Sequence, residues 1–163
     1  MTELAETFSP YSELWMLKMM VDQYKKHGRV IVAYDFDDTV YTEKEELKEI
    51  CYNVCTLLSE CSKYPDDIRM VCFTCRGGDT IYDTVIPFLD KMNIAYEKIN
   101  EQIDDLPEKL SQGLSNKILY TIFLDDHCGL LFTYSVLLQF ITWLKVYKGE
   151  LPDVCGFNSV GLM

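Results

Sequence analysis

Apolar residues in this chain fall into short unbroken runs separated by longer stretches with helical spacing. Val30-Ile-Val-Ala-Tyr-Asp35 is the first run, Arg69-Met-Val-Cys-Phe-Thr74 the second, and Leu119-Tyr-Thr-Ile-Phe-Leu-Asp125 the last. Runs of this length without polar alternation predict strands covered on both faces, as in a parallel sheet. Ile94 to Ile99 supplies a weaker strand between the second and the last.

The intervening stretches read as helices. Ser9-Pro10 offers a cap and a first-turn proline for a helix from Tyr11 to Lys26. Lys25, Lys26 and His27 complement its C-terminal dipole, and Gly28 suits a left-handed stop. Leu14, Trp15, Leu17, Met19, Met20, Val21 and Tyr24 cover more than one stripe, so two buried faces are expected. Thr42 and Glu45 form a capping-box pattern that opens a helix from Glu43 to Ser62. A third helix is expected over Thr80 to Met92 with a kink at Pro87, a short one over Pro107 to Gln112, and a last one over Leu130 to Lys148. This βαβαβαβα order predicts an α/β fold: a doubly wound, Rossmann-like parallel sheet flanked by helices. The 163 residues fit one α/β domain over 29–163, preceded by an extension and helix over 1–28.

Cys128 to Leu144 is a charge-free run of 17 residues, near the lower limit for a membrane span. Thr133, Ser135, Gln139 and Thr142 interrupt it, and the flanks carry no anchoring pattern. It reads as a buried or partner-facing helix, and no membrane partner is expected.

Fifteen Lys and Arg against 26 Asp and Glu give a formal charge of −11. Such a field repels polyanions, which argues against long nucleic acids as partners. An acidic protein can still act on a phosphate when a metal ion lies between them. The seven cysteines are an odd number, and Glu3 and Glu6 stand where a secretory leader would be basic. A reduced, cytoplasmic location is the expectation. Cys72 and Cys75 have CxxC spacing without a second pair, so they read as small hydrophobes of a buried strand.

Three strands end in reactive groups: Asp35 with Asp37 and Asp38, Thr74 with Arg76, and Asp125 with Asp126. In an open α/β sheet the ligand crevice lies outside the carboxyl ends of the strands. Up to five carboxylates should therefore meet at one crevice. They repel one another unless a cation binds, and hard oxygen ligands of this kind suit Mg2+. Asp37 and Asp38, taken alone, would only cap the turn after the strand. Arg76 either reaches a phosphate as a fork donor or pairs with a nearby carboxylate.

Asp35-Phe-Asp-Asp-Thr-Val40 after an apolar strand resembles the first motif of the haloacid dehalogenase-like phosphatases. Phe73-Thr-Cys-Arg76 resembles the second, and Ile122-Phe-Leu-Asp-Asp126 the acidic fourth. The resemblance spans Val30 to Gly129, and Lys117 to Gly129 is also similar to small members from bacteria and their phages. It implies that Asp35 is a nucleophile forming an aspartyl-phosphate, and that Asp37 first protonates the leaving oxygen and then activates water. Thr74 would bind the phosphoryl oxygens. Mg2+ would sit between the Asp35 carboxylate, the Asp37 carbonyl and Asp125, with Asp126 ligating through water or orienting Asp125. The resemblance also implies a lysine. Lys117 matches by position but lies near the far end of the last strand, whereas Lys109 opens the Pro107 helix and can return to the crevice. His127 either touches substrate or is a surface turn residue.

Asp35 to Thr74 spans 39 residues and Thr74 to Asp125 spans 51, both filled by the expected helices and strand. Neither leaves room for a cap domain. The expectation is an open-sited, Mg2+-dependent phosphomonoester hydrolase, acting on a nucleotide-like or macromolecular phosphate. The competing readings are a scaffold of the same fold with little turnover and a phosphotransferase using the same residues. The apolar N- and C-terminal helices point to packing on each other or to a homodimer across a two-fold axis.

Overall fold

The continuous apolar run between Gly28 and the acids at 35–38 forms the first strand, β1 (Val30–Asp35), with the bounds the sequence pattern gives. A computed structural model describes residues 9–104 and 119–163 of the chain. Within these, the order is α1 (Glu13–His27), β1, α2 (Lys48–Cys61), β2 (Ile68–Phe73), α3 (Ile86–Met92), β3 (Lys98–Ile99), β4 (Ile122–Leu124) and α4 (Leu130–Tyr147). The four strands form one parallel sheet in the order β3-β2-β1-β4. The expected Pro107 helix, Lys109 and Lys117 lie outside the described residues.

Several expected elements form differently. Ser12, not Ser9, caps α1: its hydroxyl accepts the Trp15 N–H at 3.2 Å, after a turn in which Tyr11 is left-handed (φ 64°). Gly28 ends the helix at φ 72° as expected. The Thr42 capping box does not form, because the Thr42 hydroxyl donates to Asp38 and accepts the Lys44 N–H instead. A single 3-10 turn (Glu45–Leu47) therefore precedes α2. The kink expected at Pro87 is realised one turn earlier as a π turn, Ile81–Val85, leaving Pro87 in the first turn of α3. A proline there lacks the N–H and crowds the preceding carbonyls, which a wider turn relieves. The two outer strands are shorter than their apolar runs, with two and three residues against six in each central strand.

Strand alternation sorts the core. Val30, Val32, Tyr34, Met70, Cys72, Ile122 and Leu124 join one large cluster with buried residues of all four helices. Ile31, Val71 and Phe73, on the alternate strand positions, form a smaller cluster with Ile103 from the segment after β3. α1 and α4 pack on each other within the chain, and Glu13 accepts hydrogen bonds from Ser135 (2.8 Å) and Gln139 (2.9 Å). α4 is long and apolar enough to span a membrane by length and composition. Here Val136, Leu137, Phe140, Ile141, Trp143, Leu144 and Val146 are buried in the core. The segment after α4 adds Phe157 and Leu162 to it, and the Leu162 carbonyl accepts from Trp143 Nε1 (3.1 Å) and Lys25 Nζ (2.9 Å).

Four of the seven cysteines (51, 55, 61 and 72) are buried, and all seven are unpaired thiols. Cys72 is fully buried in β2 while Cys75 is exposed, so the CxxC spacing is a strand residue followed by a loop residue. Burial, with lesser help from the Asp35 and Asp37 charges, pushes the Cys72 thiol up to about 12. It is no nucleophile at neutral pH.

Candidate active site

Strand register brings the reactive residues to one end of the sheet. Tyr34 pairs with Leu124, so Asp35 and Asp125 each follow by one residue on neighbouring strands. Asp35 itself pairs with Phe73, so Thr74 follows at the end of β2. The chain runs outward from β1 to β2 and β3 on one side, then returns to place β4 on the other. The β1/β4 boundary is thus the topological switch point, where crevices open in such sheets.

Asp35, Asp125 and Asp126 gather there, each offering a carboxylate oxygen within 4.8 Å of the others. Such a group could hold a divalent cation, and its all-oxygen donors suit a hard one. Burial, reinforced by the negative charges of Asp125, Asp126 and Asp37, lifts the Asp35 carboxyl to about 6, although the Phe36 N–H hydrogen bond works the other way. The backbone fixes the second loop: the His127 N–H donates to Asp125 Oδ1 at 2.8 Å, and the Asp126 N–H donates to the buried Thr39 hydroxyl at 3.1 Å.

Of the up to five carboxylates expected at the crevice, Asp35, Asp125 and Asp126 form this close group, while the side chains of Asp37 and Asp38 have other partners. Asp37 turns instead to Arg76, whose Nε lies 3.0 and 3.2 Å from its two carboxylate oxygens and whose Nη2 lies 2.7 Å from Oδ1. Asp38, left-handed at φ 56°, accepts from Thr42 Oγ1 (2.8 Å) and pairs with Lys44 Nζ (2.5 Å). Those contacts, led by Lys44, hold the Asp38 carboxyl below its ordinary range. The turn that does this is closed by Asp38 N–H to Tyr41 carbonyl (2.6 Å) and by Val40 and Tyr41 N–H to the Phe36 carbonyl (3.1 and 2.9 Å).

Thr74 is half-buried, and its hydroxyl accepts the Arg76 N–H at 3.1 Å, which leaves the hydroxyl proton for an outside acceptor. Its own backbone is clamped by Asn100: Thr74 N–H donates to Asn100 Oδ1 (2.8 Å) and Asn100 Nδ2 donates to the Thr74 carbonyl (2.9 Å). Asn100 takes a left-handed backbone (φ 57°) to do so, which Asn tolerates better than most residues. Asn100 and Thr39 are site-shaping residues that the sequence pattern does not mark; an Asn directly after a strand run is their faintest signal. His127 is exposed, 3.5 Å from Asp126. A cleft of about 480 Å3 adjoins Arg76, between the π turn and β3, with Tyr82, Tyr96 and Asn100 in its wall.

No family model matches the chain, and no curated protein or solved structure matches it significantly. What the fold itself establishes is an α/β domain with a four-stranded, all-parallel sheet flanked by helices, compatible with the Rossmann-like class.

Proposed function

We propose that this protein is a capless, doubly wound phosphatase of the haloacid dehalogenase-like type, hydrolysing phosphomonoesters with Mg2+. The observation that carries the reading is the meeting of Asp35, Asp125 and Asp126 at the β1/β4 switch point, one residue position from Thr74 on β2. The three carboxylates fit a hard cation: their oxygens lie within 4.8 Å of one another, and burial, with a lesser contribution from the neighbouring negative charges, lifts the Asp35 carboxyl. Mg2+ held by Asp35, Asp125, Asp126 and the Asp37 carbonyl would offset the charge of the transferring phosphoryl group.

The residues then divide the work. An Asp35 carboxylate oxygen attacks phosphorus as the ester oxygen leaves, giving an aspartyl-phosphate. Asp37 supplies the proton that the leaving oxygen takes up, and later removes one from the water that frees Asp35 as phosphate departs. The Thr74 hydroxyl donates to a phosphoryl oxygen. Between β1 and β2 lie only a tight turn, a 3-10 turn and one helix, so bulky esters can approach, and the adjoining cleft offers room for a leaving group.

The test is turnover of a panel of phosphomonoesters with Mg2+, with Asp35→Asn as control. Phosphate release that vanishes in Asp35→Asn supports the reading, whereas release that survives it, or no release from any ester, removes it. Adding an alcohol acceptor and analysing products distinguishes hydrolysis from phosphoryl transfer.

A further inference from the structure

We propose that Arg76 is a positioning residue that holds Asp37 in its catalytic orientation, rather than a ligand of the substrate phosphate. The inference rests on the phosphatase reading above. It starts from the fork: three N···O contacts of 2.7 to 3.2 Å fix the plane of the Asp37 carboxylate as no single hydrogen bond could. Asp37 would otherwise be loosely held, since its side chain is 46% exposed.

The guanidinium is itself fixed from behind. It lies 5.2 Å from the Phe36 ring centre and 5.1 Å from that of Tyr41, within cation–π range of both. Those two rings stack at 5.3 Å and 7°, and the Phe88 ring of α3 abuts both edge-on at 5.6 and 5.3 Å. Phe36 is fully buried, so this aromatic seat is part of the core. The Arg76 backbone is also tied to the Thr74 hydroxyl. A core-anchored ring pair thus sets the guanidinium, the guanidinium sets Asp37, and Asp37 sits two residues from Asp35. A phosphate ligand would instead direct its fork at the crevice, whereas here the fork is spent on Asp37.

A proton donor matters most when the leaving group is a poor one. The experiment compares kcat/KM for phenyl phosphate and para-nitrophenyl phosphate in wild type, Arg76→Met, Arg76→Lys, Asp37→Asn and the Asp37→Asn/Arg76→Met double variant. Inorganic phosphate serves as competitive inhibitor, and thermal melting checks that each variant folds. In Arg76→Met, phenyl phosphate should lose roughly ten- to a hundredfold more than para-nitrophenyl phosphate, less than the roughly hundred- to ten-thousandfold that losing an acid–base group outright costs. Phosphate inhibition should shift less than about threefold, and the double variant should be no worse than Asp37→Asn. Arg76→Lys keeps the charge without the fork and should keep the same bias between esters. Equal loss on both esters with phosphate inhibition weakened about tenfold or more would make Arg76 a phosphate ligand and overturn the inference. Additive losses in the double variant, or full activity in Arg76→Met, would overturn it as well. Wild-type turnover that persists in Asp35→Asn is a separate failure, of the phosphatase reading itself.

Discussion

The Asp35 and Asp125 carboxylates lie within 4.8 Å of each other across the join of β1 and β4, with Asp126 completing the group. Like charges held this close favour a bound cation or a shared proton over the fully ionised state.

Asp35 holds its proton to about pH 6 in the folded chain, against roughly 3.9 for an unperturbed Asp. Between those values the folded state binds the proton and the unfolded state does not, so the stability this group contributes is full below about pH 4 and is lost as pH rises to about 6. Asp35→Asn should therefore match wild type in metal-free buffer near pH 4 and exceed it at pH 7. The carboxyl is only half-buried, so solvent screening limits the gain to about 1 kcal/mol. Urea unfolding of both proteins across pH 4–7 checks this, and a constant difference between them would contradict it.

Millimolar Mg2+ should raise the melting temperature of wild type, since a ligand that binds only the folded state stabilises it by mass action. Asp125→Ala should remove most of that rise, while Asp38→Asn, whose carboxylate is engaged by Lys44, should keep it. A melting temperature that ignores Mg2+ in wild type would rule out the metal site.

Asp67 is 8% exposed and is satisfied by Tyr24 Oη at 2.6 Å and Lys148 Nζ at 2.9 Å. Tyr24→Phe strips one partner from a buried carboxylate and should cost about 1–3 kcal/mol, with turnover unchanged in the folded protein. Equilibrium urea unfolding measures it.

Leu131 (67%) and Leu138 (44%), seven residues apart on α4, remain exposed after α1 has packed against that helix, as does Met19 (51%) on α1. Association into a dimer through Leu131 and Leu138 of α4 is the expected outcome, read by light scattering as twice 19.0 kDa at micromolar concentration. A mass of 19.0 kDa at every concentration, or a dimer unchanged by Leu131→Glu, would contradict it.

The parts of the fold legible in the sequence are those governed by local chemistry. β1 is continuous, apolar and bounded by Gly28 and acids, so its bounds and the placement of Asp35 at its end follow directly. Gly28 at a helix end and Cys72 inside a strand are equally local. The Thr42 box misleads because the same hydroxyl has a competing partner in Asp38, which only the left-handed turn at 38 brings within reach. The Arg76–Asp37 fork joins residues 39 apart, and its aromatic seat depends on α3 swinging Phe88 against Phe36. Pairing of Arg76 with a carboxylate is one of the two alternatives the sequence leaves open, but neither the choice of Asp37 nor the aromatic seat leaves a pattern along the chain. The anchoring of Leu162 beneath Trp143 is hidden for the same reason.

The six-residue β1 is paired along its whole length with β2, whereas β4 contributes three residues at the sheet's margin. Slow amide exchange is thus expected along β1 and faster exchange along β4, because local opening concentrates where few hydrogen bonds and contacts must be broken. The candidate cation site straddles that difference, with Asp35 on the rigid centre and Asp125 and Asp126 just beyond the pliant edge. Repulsion in the metal-free protein can be relieved by the edge moving outward while the centre stays folded. Cation binding would then act as a clasp, and its signature would be exchange protection gained at Ile122–Leu124 and at the β1 amides facing them, with the β1–β2 pairing unchanged.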